Sequence, residues 1–453
     1  MLTLAGGVRR DRGRNIPTVE PPPLVVRNVG GSQMFRSLRE RNAKLFFAGL
    51  AVSNVGTWLQ ATAQVLLVRR LGGNGLALGT VTALQFLPML LIGLWAGALA
   101  DRFDRRRLTI ITQAAMGVQA IALGVLDLTG AVTIPTVYAM SLVLGVIGAI
   151  DNPARRGLAT ELVERRDLTN VMSLNTSVMT GSRIFGPALA ALFANVMGTG
   201  WCFVLNGVSF LALLWALVAI DPHRLYRSAP APDSATPIRD GLRAVWADPA
   251  LRLSVVVYAV VCTFAFNYTV SFPLLIRDQL DAPDSLFGWI LSTTSVGSVV
   301  GSLMVARLHV VRVRLQLAAV LLTAITMTGM ALSTNRVLTF AIAVPFGAGV
   351  AAFIATSNAI FADRTNPDMR GRVLALGAVL FLGSTPIGAP ITGWVGDHVS
   401  ASWSMLYGAL IAFVTVLGAV IYATRQRVAP SSRAREMRSA DRLARVGDQT
   451  FND

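Results

Sequence analysis

From about residue 45 onward, long apolar runs alternate with short polar and basic intervals, and the length of the runs decides how they are read. About 20 apolar residues cross a bilayer as a helix. Runs of that order recur at Leu45–Val68, Leu76–Ala100, Leu108–Leu128, Ile134–Ile150, Leu168–Val196 and Cys202–Ile220. After a polar stretch they resume at Leu251–Ile276, Phe287–Ala306, Leu315–Leu332, Val337–Phe361, Val373–Val395 and Trp403–Ala423. The pattern predicts an all-α integral membrane protein with twelve transmembrane helices. The fourth run is the shortest and is expected to extend through Asp151, with that end in the headgroups or the protein interior.

The chain divides near its middle. Residues 221–250 begin DPHRLYRSAPAPDSATP, rich in Pro, Ser and charge, and read as a cytoplasmic linker ending in a short amphipathic piece, Gly241–Trp246, on the membrane surface. Residues 34–220 and 251–424 are then two six-helix bundles. Each carries a copy of the same punctuation. Gly97 ends the second run as Gly301 ends the eighth. Gly181-Ser182-x3-Gly186-Pro187 in the fifth matches Gly383-Ser384-x3-Gly388-x-Pro390 in the eleventh, 202 residues on. Two pseudo-symmetric bundles facing each other are expected. Residues 1–33, with Arg9, Arg10, Arg12 and Arg14 and no apolar run, read as a disordered, dispensable basic leader, which makes Met34 a candidate true start. Residues 425–453 read as a basic cytoplasmic tail.

Composition supports the membrane reading, with 53% hydrophobic and only 14% charged residues against about 25% charged in globular proteins. The net charge of +16 raises the question of nucleic acid, and its placement answers it. With both termini cytoplasmic, 35 of the 40 basic residues fall in the leader, the tail and the inner loops. Four (Arg69, Arg70, Arg277, Arg336) fall outside, and Arg183 lies within a run. That asymmetry follows the positive-inside rule and implies insertion in the plasma (inner) membrane, not binding to nucleic acid. Cys202 and Cys262 lie inside apolar runs and His223, His309 and His398 are scattered, so no metal site, cofactor site or catalytic constellation is expected.

Between the second and third runs stands Gly97-x3-Asp101-Arg102-x-x-Arg105-Arg106, a charge knot directly against an uncharged run. It resembles the loop signature of the major facilitator superfamily, departing from it at Asp104, where the family usually has Gly. The resemblance implies that Gly97 permits close helix approach and that Asp101 with Arg102, Arg105 and Arg106 forms a cytoplasmic latch. Gly186-Pro187 resembles the motif of the antiporter branch, where loss of a helical hydrogen bond permits a bend. Asn152 to Asn175 and Arg183-x2-Gly186-Pro187 are similar to enterobactin-exporter-like transporters, a group that includes multidrug exporters. This likeness spans Met34 to Tyr422 and implies alternating-access export of small amphipathic molecules, drugs or a siderophore-like metabolite, coupled to protons. An importer of the same fold is the alternative, and a non-transporting sensor or scaffold a more distant one.

In the first run Ser53, Thr57, Gln60 and Gln64 recur on one helical face, with Asn54 and Trp58 at its edge; in the seventh, Thr263, Asn267 and Ser271 do so, beside Phe264 and Tyr268. Polar side chains are costly against lipid, so these faces should meet a water-filled cavity or another helix. In the family, runs one, four, seven and ten line the central cavity, which makes these residues, with Phe353 and Asn358, the substrate-contact candidates. No Asp or Glu lies near the middle of any run. Asp151 and Asp101 are the acids at the membrane edge, so proton coupling is implied by the resemblance alone. Arg183 lies about 15 residues into its run, roughly 22 Å along the helix. An Arg at that depth costs about 2.5–3.5 kcal/mol or more, so it requires partners. Asn175, the glutamines of the first run and the carbonyls near Pro187 are the neutral possibilities, and an anionic substrate is the other.

Overall fold

The computed structural model describes residues 36–226, 237–308 and 310–426. The leader, residues 227–236 of the linker and residues 427–453 of the tail lie outside the described residues. Among those described no strand occurs, and the α-helices are α1 (Arg41–Arg70), α2 (Gly75–Arg102), α3 (Arg105–Leu128), α4 (Ile134–Glu161), α5 (Leu168–Met197), α6 (Thr199–Ala219), α7 (Pro237–Ala247), α8 (Pro249–Phe264), α9 (Tyr268–Leu274), α10 (Leu286–Ala306), α11 (Val313–Leu332), α12 (Arg336–Asp363), α13 (Pro367–Gly383), α14 (Thr385–His398) and α15 (Trp403–Gln426). Short polar side chains start them where the sequence turns. Asn74 accepts from Ala77 N (3.0 Å), Asp104 from Arg107 N (2.9 Å), and Asn335 from Val337 N (2.9 Å).

Eleven segments are long and apolar enough to cross a membrane. Two are composite. Pro249–Gln279 joins α8, α9 and a π turn at Leu275–Gln279, and Met369–His398 joins α13 and α14. The expected first span has the length, as the 30-residue α1, but falls short in apolarity, and its polar Ser53, Gln60 and Gln64 are buried within the protein. The fourth run extends further than expected, to Glu161. Its added turns are held by polar partners: Asp151 by Thr112 and Gln113 of α3, and Glu161 by Arg105.

α1 packs on α5 and α6, α3 on α4 and α6, and α2 on α4; in the second half α10 and α11 pack on α12, and α15 on α8 and α11. The halves meet along α2–α14 and α5–α10, a pair of contacts that the internal repeat exchanges. The repeat is visible at the atoms. A Cβ on Gly145 would strike Gln85 O of α2, and one on Gly347, again 202 residues later, would strike Thr294 O of α10. Likewise Gly186 lies against α1 (Val55 O 2.8 Å and Leu59 N 3.1 Å from such a Cβ), while Gly388 lies against Thr263 O of α8. Small residues at these points let backbones touch, which supplies the dispersion contact that holds helices together where lipid removes the hydrophobic drive.

α1 starts and α15 ends on one side of the molecule, the terminal face; the opposite side is the distal face. The four arginines that the charge count assigns to the distal side are all engaged. Arg69 pairs with Asp278 (3.7 Å), Arg70 with Asp127, and Arg277 with Asp284 (3.9 Å), while Arg336 donates to Leu280 O (3.2 Å) and Asp281 O. On the terminal face the amphipathic α7 buries Val245 and exposes Leu242 and Trp246.

Candidate functional site

A small cavity lies where the halves meet, between α1 and α5 on one side and α9 and α10 on the other. Trp58, Arg183, Tyr268, Thr294, Ser295 and Ser298 line it. Its position follows from Gly186. The missing side chain seats α5 directly on Trp58 of α1, and Arg183, one turn earlier, stacks its guanidinium over that ring, Cζ 4.7 Å from the centroid. Among the described residues Arg183 forms no ion pair and no hydrogen bond, to Asn175, the α1 glutamines or any carbonyl. A cation–π contact contributes about 0.5–2 kcal/mol. That is less than the roughly 2.5–3.5 kcal/mol cost of an Arg at mid-membrane, so the balance falls to water or an anion in the cavity.

The α1 stripe turns into the first bundle. Gln60 donates to Gln119 (3.1 Å) and accepts from Asn206 (2.6 Å), Gln64 donates to Ser141 (2.7 Å), and Ser53 donates to Gln113 (3.5 Å); all three are buried. They tie α1 to α3, α4 and α6. The edge of the stripe faces α5 instead: Asn54 donates to Met179 Sδ (3.1 Å) and Trp58 reaches the cavity, while Thr57 is exposed with its hydroxyl on Ser53 O. In the second half Tyr268 lines the cavity, whereas Asn267 is buried and donates to Thr263 O (2.7 Å), Thr263 donates to Ala259 O, and Ser271 donates to Ser404 O. Phe264 is half-buried. Phe353 is fully buried between Tyr258 (rings 5.4 Å apart, stacked) and Phe266, which makes it core in this structure, while Asn358 is exposed on α12.

The sequence reading missed a second polar track. Ser173, Thr176, Ser177 and Thr180 recur at i, i+3, i+4 and i+7 on α5 and lead from the terminal face to Arg183. The first three are exposed, and Thr176, Ser177 and Thr180 each donate to their own i−4 carbonyl. At about 100° per residue the middle of this face is more than a quarter-turn from the exposed apolar Phe185, Leu192 and Val196. The spacing was the available signal.

Around the charged loop, Arg105 donates to Glu161 (2.9 Å) and Arg106 to the carbonyls of Leu217 (2.7 Å) and Val218 (3.0 Å) at the end of α6. Arg102 is exposed, and the side chain of Asp101 lies outside the described residues. Gly97 departs from expectation. Nothing lies within 4 Å of a Cβ built there, so in this structure it permits no close helix approach, unlike Gly301, which abuts Ala348 O. Asp151 is buried, accepting from Thr112 and Gln113 (2.8 Å each) and pairing with Arg155 (2.9 Å). Pro187 sits inside a continuous α5, and Ser292 of α10 donates to Ile184 O one turn before it (2.7 Å).

The contacts between halves favour one side. Asp397 at the end of α14 accepts from Gly75 N (2.6 Å) and Leu76 N (2.7 Å), Arg69 meets Asp278, and Gly288 of α10 abuts Pro187 O. These lie in the distal half.

Two helical halves that meet along α2–α14 and α5–α10, with a small cavity between them, are the arrangement of the major facilitator class. Residues 32–446 match the family model of the transmembrane secretion effectors, MFS_3, and the chain belongs to that family. It is 22% identical to the staphyloferrin A transporter of Staphylococcus aureus, over 58% of this chain and 66% of the transporter's length. It is 27% identical to the multidrug efflux pump Tap of Mycolicibacterium fortuitum, over 78% of this chain and 88% of the pump. In structure it is similar to a bacterial homologue of the human lysosomal transporter Spinster in an inward-facing, unoccupied conformation, with a TM-score of 0.66 at 12% identity, covering 86% of this chain and 96% of that one. The family is one of transporters and not of enzymes.

Proposed function

We propose that the protein is a secondary active exporter of small amphipathic molecules, and that its preferred substrates carry an anionic or catechol-like oxygen-rich group. One observation carries the substrate class: Arg183 lies stacked on Trp58 at the wall of the inter-bundle cavity, without an anion or acceptor among the described residues. A guanidinium in that setting binds carboxylate or phenolate in a planar fork, with Trp58 and Tyr268 offering ring faces to the apolar part. The α5 track of hydroxyls supports an approach from the terminal face, the asymmetry of 35 basic residues against 4 supports a cytoplasmic position for that face, and α1 would be the twelfth span. The two bundles would then rock about the cavity, and the Asp101–Arg107 loop would latch the cytoplasmic side when it closes.

Siderophore export is the sharper form of this reading, favoured by the same arginine and by the relative that handles staphyloferrin A. Export rather than import rests on the resemblance to efflux pumps, and coupling to protons on the likeness of Gly186-Pro187 to the antiporter motif. The test is uptake into inside-out vesicles energised by a pH gradient, with an anionic and a cationic dye of matched size. Arg183→Lys should keep partial transport of the anion, and Arg183→Gln should lose it while the cation continues. Equal anion flux in wild type and both variants would remove the arginine from substrate binding, and no gradient-driven flux of either dye would remove export.

A further inference from the structure

We propose that the groove between α8 and α15, at the terminal face and on the outside of the second bundle, holds one membrane phospholipid with an anionic headgroup. The phosphate would sit on Arg252 and an acyl chain would lie along the groove beneath it.

The groove is a cavity of about 410 Å³ and runs inward past Val256, Val260, Thr415 and Gly418. That volume falls within the range of about 300–1,000 Å³ typical of small-molecule sites. At Gly418 the helix surface is open, with nothing within 4 Å of a Cβ position. Arg252 stands at the mouth, on the first turn of α8. Its Cζ lies 5.6 Å from the Trp246 ring and 5.7 Å from the Tyr422 ring, and it donates to the Tyr422 hydroxyl. The rings hold the guanidinium in a fixed plane, yet no carboxylate among the described residues pairs with it. Asp248, one turn earlier in sequence, is already committed. It caps α8 through Ala250 N (2.7 Å) and pairs with Arg364 (3.2 Å). A pre-oriented, unneutralised arginine above an apolar channel matches a phosphate followed by hydrocarbon and offers little to a free polar ion.

The surroundings fix the occupant as a bilayer lipid. The groove shares no lining residue with the inter-bundle cavity, and Val256, Leu417, Val420 and Ile421 around it are exposed apolar side chains. Trp246 and Leu242 of α7, exposed beside the mouth, mark headgroup depth, where an amphipathic helix and its tryptophan settle. Arg243 and Arg425, one turn from Trp246 and Tyr422 on their helices, are exposed and add positive charge. That field favours an anionic headgroup over one carrying an ammonium. The site is independent of the transported substrate and of the direction of transport.

The test uses the full chain purified in detergent, with lipid retention read by native mass spectrometry. Phosphatidylglycerol and phosphatidylcholine of identical acyl chains are titrated in parallel, with glycerol 3-phosphate as the headgroup without chains. One phosphatidylglycerol should be retained about tenfold more tightly than phosphatidylcholine. Arg252→Gln should abolish that preference, and Gly418→Trp, which fills the groove and leaves the guanidinium in place, should lower retention of both lipids about tenfold. Thermal unfolding of each variant in detergent identifies a folded protein, and Gly418→Trp alone decides between the outcomes should Arg252→Gln fail to fold. Equal retention of the two lipids by the wild type would overturn the proposal, as would unchanged retention in Gly418→Trp. Displacement of the lipid by glycerol 3-phosphate alone at similar concentration would reduce the site to one for a free anion and refute the groove.

Discussion

Removing the carboxylate of Asp397 should loosen the distal closure of the two halves, and the geometry sets how far. Asp397 Oδ1 and Oδ2 accept from Gly75 N at 2.6 Å and Leu76 N at 2.7 Å, the first two amides of α2, which have no partner inside that helix. A hydrogen bond to a charged group contributes about 1.5–3 kcal/mol, and an anion at a helix N-terminus a further 0.3–1 kcal/mol. Asp397 is exposed, as is Leu76, so water replaces much of this when the contact opens. A net contribution of about 1–2 kcal/mol remains, equivalent to a factor of about 5–30 in the closed-to-open ratio. Asp397→Ala should shift that ratio toward distally open molecules by this factor, and Asp397→Asn by less, since its amide oxygen still accepts one bond. Spin labels at Thr129 and Val399, exposed on the distal ends of the two halves, report the separation as a distance distribution. A folded Asp397→Ala protein with the wild-type distribution would refute the reasoning, because the charged acceptor seen at the α2 terminus would then have no bearing on closure.

Cysteines at Thr129 and Val399 should react with an impermeant thiol reagent on intact cells, and one at His223 should not; the reverse pattern would invert the topology. Gln60→Ala should lower stability by about 1–3 kcal/mol, read as a drop in thermal midpoint in detergent, because it strands Gln119 and Asn206 in the first bundle. Gly347→Ala should destabilise the α10–α12 crossing by about 1–3 kcal/mol, since its Cβ would strike Thr294 O, whereas Gly97→Ala should leave the midpoint unchanged.

Run lengths were legible because a bilayer imposes a number, and the repeat was legible in part because close helix contact keeps glycine at Gly186, Gly301 and Gly388, though not at Gly97 or Gly181. What the helical period left undetermined was direction. Ser53, Gln60 and Gln64 share a face, and periodicity alone says that the face avoids lipid, not whether it meets water or protein. Gln113, Gln119, Ser141 and Asn206 decide it, and they lie about 60 to 150 residues away in sequence. The break between α8 and α9 was equally hidden. No proline or glycine stands at Ala265–Asn267, and the turn is held from outside, where Gly388 presses on Thr263 O and Asn267 bends back to the same carbonyl. In the eleventh span, by contrast, Pro386 at the start of α14 marks the break in the sequence itself.

The spacing Arg183-x2-Gly186-Pro187 acquires a physical reason in this arrangement. Gly186 brings α5 onto the backbone of α1 at Val55 and Leu59, which fixes Trp58 against the helix. A residue three positions earlier stands one turn toward the terminal face, directly over the exposed part of that ring, and there the chain carries its one arginine within a span. The repeat places Thr385 at the matching position of the second half, ahead of Gly388, so the cation has no counterpart across the cavity. The opposite wall offers Thr294, Ser295 and Ser298 instead. An anion on Arg183 would therefore be bound electrostatically by the first half and only by neutral hydroxyls from the second. Such an imbalance lets the halves separate on either side of the ligand without breaking an ion pair, which is what a rocking transporter requires of its binding site.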